Sequence, residues 1–409
     1  MKILNANEYI NERLDIKPIT KTMLSGMRRY KYYPKTKKEL ESLIRERVSN
    51  EGANCDLNDI DVSKLTSLNA VFYNVKFNGD ISLWDVRNVT DMSYMFDGSA
   101  FNGDISMWNV SNVTDMCGLF SDTKFNGDIS RWDVSNVEFM SSMFFGSEFN
   151  GDISNWNVGK VRMMEMMFAK SKFNGDISRW DVSSSQNMHS MFQQSVFNGD
   201  ISKWNVGNVG IMAAMFSQSE FNGDISKWNV EKVRNMMGMF NESKFDGDLS
   251  EWDVSNVWYM QNMFKNSVFN GDISTWDVSN VETMRDMFSS SVFNNDISNW
   301  NVKNVESMAG MFSGSKFNKD ISRWDVSKVI YMEDMFSHSK FNNDISDWNV
   351  ENVVSMKYMF AFSDFSQDIS KWKVRPIIGQ NGKTNTYGMF YDSPLEKNSP
   401  ISIWCKNNM

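Results

Sequence analysis

At 409 residues the chain is long enough for two or three globular domains, yet it holds 32 Met, 30 Phe and 15 Trp against 5 Pro and 2 His. Skew of that kind reflects one motif copied many times, and repeat arrays escape the size limit on a single core. A net charge of -9 excludes nucleic acid as the main partner, because phosphate binding needs a basic face.

The first 50 residues stand apart, with 12 Lys+Arg against 6 Asp+Glu, a net of +6 that leaves -15 for the remainder. Residues 1–35 read as a leader. It lacks the apolar core of a secretory signal, which predicts cytoplasmic synthesis, with display in a virion or at a cell surface reached by a non-classical route. Its run Arg28, Arg29, Tyr30, Lys31, Tyr32 and Tyr33 interleaves basic and aromatic side chains as nucleic-acid sites do. Six residues in front of an acidic remainder read better as a solvated segment. Next, Thr36-Lys-Lys-Glu39 forms a capping box, and Leu40, Leu43, Ile44 and Val48 follow on one helical face, so residues 36–52 are predicted to be a capping helix over the first coil.

Residues 53–76 carry Leu57, Ile60, Val62, Leu65, Leu68, Val71 and Phe72, a degenerate copy of the motif that then runs through residues 77–374. There, Phe77 and every twenty-fourth residue to Phe365 are Phe, with Trp seven positions later from Trp84 to Trp372. These are thirteen copies of F-N-G-D-I-S-x-W-[DN]-V-x-x-V-x-x-M-x-x-M-F-x-x-S-x. A period without slippage predicts an α/β repeat solenoid, leucine-rich-repeat-like, whose 24-residue coils stack equivalent side chains. Within each coil I-x-x-W-x-V predicts a short parallel strand, and Val89, Met92, Met95 and Phe96 predict the inward stripe of a short helical turn. Some fourteen coils at about 4.8 Å each give a body on the order of 65 Å long. Met fills 23 of the inward sites, as a gap-filler between rings rather than as a metal-binding array.

The repeated polar positions read as structural. Asn78 and its equivalents suit an internal asparagine ladder. Gly79, Gly in nine copies, suggests positive φ, while Lys319 and Gln367 show that a side chain is tolerated. Asp80 and Ser82, present in all thirteen copies, fit a carboxylate accepting backbone or hydroxyl hydrogens. A calcium ladder is the alternative, but one coil offers too few oxygens. Residues 375–409 break the period and read as a C-terminal cap in which Tyr387, Met389, Phe390 and Trp404 echo a final coil.

The motif F-N-x-D-I-S-x-W-[DN]-V-S-N-V-x-x-M-x-x-M-F over residues 53–374 resembles the BspA-like leucine-rich-repeat surface proteins, including the mycoplasma-type lipoprotein repeat. Residues 32–40 and 56–62 resemble the lead-in of those domains. The resemblance implies a bacterial adhesion protein that binds host proteins or glycans. The chain departs from it in showing no signal peptide, lipobox cysteine or wall anchor. Residues 5–22 are more similar to short leaders of proteins encoded by large phages, which implies a phage-borne member.

Function is expected where copies vary. One column, from Leu83 and Met107 through Arg131, Arg179 and Lys203 to Lys371, is polar with a basic middle and reads first as solvated exterior, next to a column of Asp or Asn from Asp85 to Asn349. On the helical-turn side, Phe139, Met163, Ile211, Trp258, Tyr259, Ile330, Tyr331 and Val354 put apolar groups where the first two full copies have Thr or Asp. They form the candidate partner-binding patch. His189 and His338 lie in different coils, no phosphate loop is present, and Cys55, Cys117 and Cys405 make neither a disulfide framework nor a metal-ligand spacing. The expectation is a binding protein, not an enzyme, with no cofactor, no metal and no membrane insertion. Its partner is a protein or glycan receptor; its oligomeric state, and the rival of a phage structural or host-interaction protein, stay open.

Overall fold

The computed structural model describes residues 30–374 and 385–396. The leader before residue 30, the insertion at 375–384 and residues 397–409, with Trp404 and Cys405, lie outside them. Among the described residues a single helix, α1 (Lys37–Glu51), precedes the repeats. Thr36 accepts the Glu39 amide at 3.2 Å, while the Glu39 carboxylate takes the amide of Lys35 at 2.7 Å, one residue before the position a capping box uses. Leu40, Ile44 and Arg47 are buried. Tyr32 makes a parallel bridge with Ile60, so the segment before α1 also lies along the first coil.

The repeats stack in register. Parallel bridges join residues 24 apart from Ser67↔Asp91 to Tyr331↔Ser355, and the last one, Ser355↔Asn385, spans 30. Three aromatic ladders run through the interior: Phe77 lies on Phe101 at 6.0 Å and 3°, Trp84 on Trp108 at 6.4 Å and 1°, and Phe96 on Phe120 at 5.7 Å and 2°. Phe96 also packs across on Phe101 at 4.2 Å. With Ile81, Val86, Val89, Met92 and Met95, no member of this set is more than 4 % exposed. Offset ring pairs contribute about 0.5–1.5 kcal/mol each beyond the area they bury. The indole N–H would be a buried orphan; each Trp from Trp84 to Trp372 instead donates to a carbonyl 27 residues earlier, Trp84 to Leu57 at 2.9 Å and Trp204 to Ile177 at 3.0 Å.

Within the coil the backbone departs from the expected strand and helical turn. I-x-x-W-x-V is a turn: the Trp84 amide donates to the Ile81 carbonyl at 3.0 Å, and the Val89 amide to Val86 at 2.9 Å. The Ser82 amide is already taken by the Asp80 carboxylate at 2.9 Å. With those donors satisfied inside the coil, no inter-strand ladder forms there. The bridge falls instead at Asp91 and its equivalents, and among the described residues no bridge extends into a longer strand.

The methionine segment is a run of turns. Met95, Asp97 and Ser99 donate to the carbonyls three residues earlier, at 3.2, 3.2 and 2.9 Å. The amides between them, of Met92, Tyr94, Phe96 and Gly98, donate to the next coil at Asp115, Cys117, Leu119 and Ser121, at 2.9, 2.6, 3.1 and 3.0 Å. A helix would keep every amide within its own coil. The alternation is possible because Tyr94 and Gly98 have φ of +55° and +64°, and their equivalents recur coil after coil, as at Met166, Lys170, Ser190 and Gln194. A non-glycine side chain there costs roughly 1–2 kcal/mol. Neighbouring coils set which residue fits: a Cβ on Gly118 would come within 2.4 Å of the Tyr94 ring.

Gly79 and its equivalents are not among the positive-φ residues. They are small because the Phe two positions earlier folds its ring over them, so that a Cβ on Gly103 would lie 2.8 Å from Phe101. The asparagine ladder exists, each Oδ1 accepting the amide of the next member as Asn102 does from Asn126 at 2.9 Å. It runs along the surface, not inside, since Asn78, Asn102 and Asn126 are exposed.

Candidate functional site

Most conserved-looking polar columns are consumed by the backbone. In all thirteen copies the aspartate accepts the amide of the serine two positions on, from Ser82 on Asp80 at 2.9 Å to Ser370 on Asp368 at 2.8 Å. Those bonds hold the carboxylates from Asp128 to Asp368 below their ordinary range, the Ser amide first and its hydroxyl second. The Asp85 column does the same work one turn later, as when Asp133 accepts the Ser135 amide at 3.1 Å. The Asn88 column ties coils together, Asn112 Nδ2 donating to the Arg87 carbonyl at 2.7 Å. In the Leu83 column, Lys227 pairs with Glu251 at 2.5 Å and Lys371 with Asp347 at 2.8 Å, both on open surface.

The eight apolar candidates fall in two adjacent columns. Phe139, Met163, Ile211, Tyr259 and Tyr331 are bridge residues of the Asp91 column. Trp258, Ile330 and Val354 occupy the Thr90 column immediately before it. All face outward to some degree, Tyr331 at 46 %, Trp258 and Val354 at 40 % and Ile211 at 37 %, with the others half-buried. They do not form one patch. Phe139 and Met163 bridge directly, Ile211 stands alone between Asn187 and Asn235, Trp258 and Tyr259 form a second group, and Ile330, Tyr331 and Val354 form a third beyond Thr283 and Ser307. Two rings carry a cation from the preceding or following coil: Arg162 lies 5.3 Å from the Phe139 centroid and Arg234 5.0 Å from that of Trp258.

Between the first and second groups lies a groove of about 800 Å³ that the sequence reading missed. Lys160, Ser184, Asn208 and Lys232 line it from the Asn88 column. Glu138, Arg162, Gln186 and Gly210 line it from the Thr90 column. Arg162 is paired with Glu138 in the coil before. Lys160 and Lys232 each donate one hydrogen, to Asn136 and Asn208, both at 2.7 Å. Two single-copy departures mark the place. Gly210 is the glycine of a column that otherwise carries side chains, and Ser185 replaces the buried Val that runs from Val89 to Val353.

Ser185 is fully buried and its hydroxyl has no partner. Ser185→Val restores the ladder residue, and chemical denaturation is expected to show a gain of about 1–2 kcal/mol from removing an unpaired buried hydroxyl. No gain would mean that the hydroxyl is bonded.

The remaining reactive groups are quiet. Burial, then Asp115, pushes the Cys117 thiol up to about 12, and burial raises that of Cys55, so neither is an activated nucleophile. His338 stacks on Phe362 at 4.5 Å. Among the described residues no group of three or more His, Cys, Asp or Glu is placed to hold a metal ion, and no helix is long and apolar enough to cross a membrane.

Identical inner ladders beneath variable outer columns define a repeat protein. A family model described as "Mycoplasma protein of unknown function, DUF285" matches residues 41–148, 123–220, 147–244, 193–293, 217–316 and 289–404, and the chain belongs to that family. No curated protein matches it.

Proposed function

We propose that the chain is a non-enzymatic binding protein, a leucine-rich-repeat-like solenoid that presents its variable outer columns to a protein or glycan partner. The observation that carries this reading is the division of labour among columns. Inner and turn positions are spent on rings, caps and coil-to-coil bonds, whereas the Thr90 and Asp91 columns vary and expose Trp258, Tyr331 and Val354. Half-exposed aromatic residues of this kind are common anchors at interfaces. The finer likeness to BspA-like surface adhesins rests on the repeated motif, and a phage-borne setting rests on residues 5–22 alone.

The test is Trp258→Glu combined with Tyr259→Glu. Arg234 already lies against position 258, so the fold is expected to accept the acid and the melting curve to stay in place. Affinity for a protein partner captured by the unmodified chain is expected to fall roughly tenfold or more, which is about 1.4 kcal/mol. A folded variant with unchanged capture and unchanged sedimentation would remove the proposed face.

A further inference from the structure

We propose that the groove between residues 138 and 232 binds an extended acidic glycan. This rests on the binding-protein reading above and assigns a ligand class to a surface distinct from the Trp258 group. Its shape sets the first constraint. The lining residues come from five consecutive coils, so at about 4.8 Å per coil the groove is on the order of 19 Å long. That length suits a linear chain lying along the array better than a single small molecule.

Chemistry selects among linear chains. A peptide docking by strand addition needs free backbone donors and acceptors. Here the backbone of the Thr90 column is already bonded coil to coil: Arg162 to Glu138, Gln186 to Arg162, Gly210 to Gln186 and Arg234 to Gly210, each at 2.9 Å. Single-stranded nucleic acid needs bare aromatic faces on which bases stack. The ring next to Glu138 in the chain, that of Phe139, already has Arg162 over it. What the groove offers is side-chain polarity in an ordered sequence. Lys160 stands towards one end and Lys232 at the other, with Ser184, Gln186 and Asn208 between them, while Glu138 and Arg162 neutralise each other beside Lys160. An ammonium has three donors, and Lys160 and Lys232 have each spent one on an asparagine. Two cationic ends around a hydroxyl and carboxamide centre match a chain of hydroxyl-rich units with acid groups at intervals.

Gly210 supplies an independent argument. Its φ is not positive, and a Cβ built on it would meet nothing nearer than the Gln186 carbonyl oxygen at 3.8 Å. Neither backbone conformation nor packing requires glycine there. The missing side chain does one thing, which is to leave the groove open.

The experiment uses the full chain and isothermal titration with short hyaluronan chains, which carry carboxylates, and short heparin chains, which add sulfates. Chitin oligosaccharides serve as the neutral control. The unmodified chain is expected to bind at least one acidic probe, more weakly as salt is raised, and not the neutral one; the two acidic arms separate carboxylate from sulfate recognition. Gly210→Glu is expected to weaken binding by roughly tenfold or more with an unchanged melting temperature, and Gly210→Ala to retain it. The Trp258→Glu, Tyr259→Glu variant is expected to bind the glycan normally, so loss of the protein partner and loss of the glycan are separate results. Absence of binding to both acidic probes, or indifference to Gly210→Glu, overturns the proposal. So does equal binding of poly-glutamate or poly-uridylate with the same sensitivity to Gly210→Glu, because the groove would then be a general polyanion site.

Discussion

Phe216→Ala is expected to destabilise the array by about 3–5 kcal/mol, the cost of emptying a fully buried aromatic site. Phe216 lies between Phe192 at 5.8 Å and Phe240 at 5.9 Å, packs on Phe221 at 4.3 Å, and is wholly buried. Its removal therefore opens gaps towards both neighbouring coils at once. In an array whose units are stabilised only by nearest neighbours, a weak internal interface also loosens the coupling of the two flanks. Denaturant titration should show a lower midpoint together with a broader or split transition. A single sharp transition shifted by less than about 1 kcal/mol, within the scatter of a surface substitution, would mean that the coils are not mutually dependent.

Arg47→Ala is expected to detach the N-terminal cap. Arg47 is 9 % exposed, bonds Asp59 at 3.0 Å and the Asp56 carbonyl at 2.9 Å, pairs with Glu51, and lies 5.3 Å from the Tyr32 ring centroid. Glu51 and then Asp59 hold its guanidinium above the usual arginine value, against the opposing effect of burial. Removing it leaves the half-buried Asp59 carboxylate and the Asp56 carbonyl without their donor, while Glu51 is open to solvent, a loss of about 1–3 kcal/mol. Arg47→Lys should not restore it, because an ammonium cannot reach two carboxylates and a carbonyl in the geometry of the guanidinium fork. Hydrogen exchange is the discriminating measurement: amides of Leu40 and Ile44 should lose protection while those around Phe216 keep theirs. Unchanged protection in α1 would show that Leu40 and Ile44 hold the helix without the arginine.

The features legible in the sequence are those written as side-chain identity. Phe77, Trp84, Val89, Met92 and Phe96 repeat because each must cover its own counterpart, and the buried set follows from the motif. The path of the backbone was less legible. The left-handed position is occupied by Tyr94, Gly118, Met166 and Asp334 in different coils, so no residue preference announces it. I-x-x-W-x-V has the alternation of a strand, but the Asp80 carboxylate and the turn closed at Trp84 take up its amides. The outward apolar residues were recognised from their departure from Thr and Asp. Their separation into three groups and a lone Ile211 depends on which coils intervene. The groove is not legible in the motif because it is made by an absence, the side chain missing at Gly210.

The alternating amides of the methionine segment give the molecule an electrical direction. In each coil four N–H groups point towards the C-terminal end and the matching carbonyls towards the N-terminal end, so their peptide dipoles add along the axis, in the opposite sense to an α-helix. The two poles are met by charges of the right sign. At the carbonyl pole Lys37 Nζ lies 3.1 Å from the Asn69 oxygen. In the last described coil the Asp392 amide, equivalent to the forward donor of Phe362, is taken by the Glu396 carboxylate at 3.0 Å. Growth of the array by further copies would lengthen this dipole and leave both terminal neutralising groups in place.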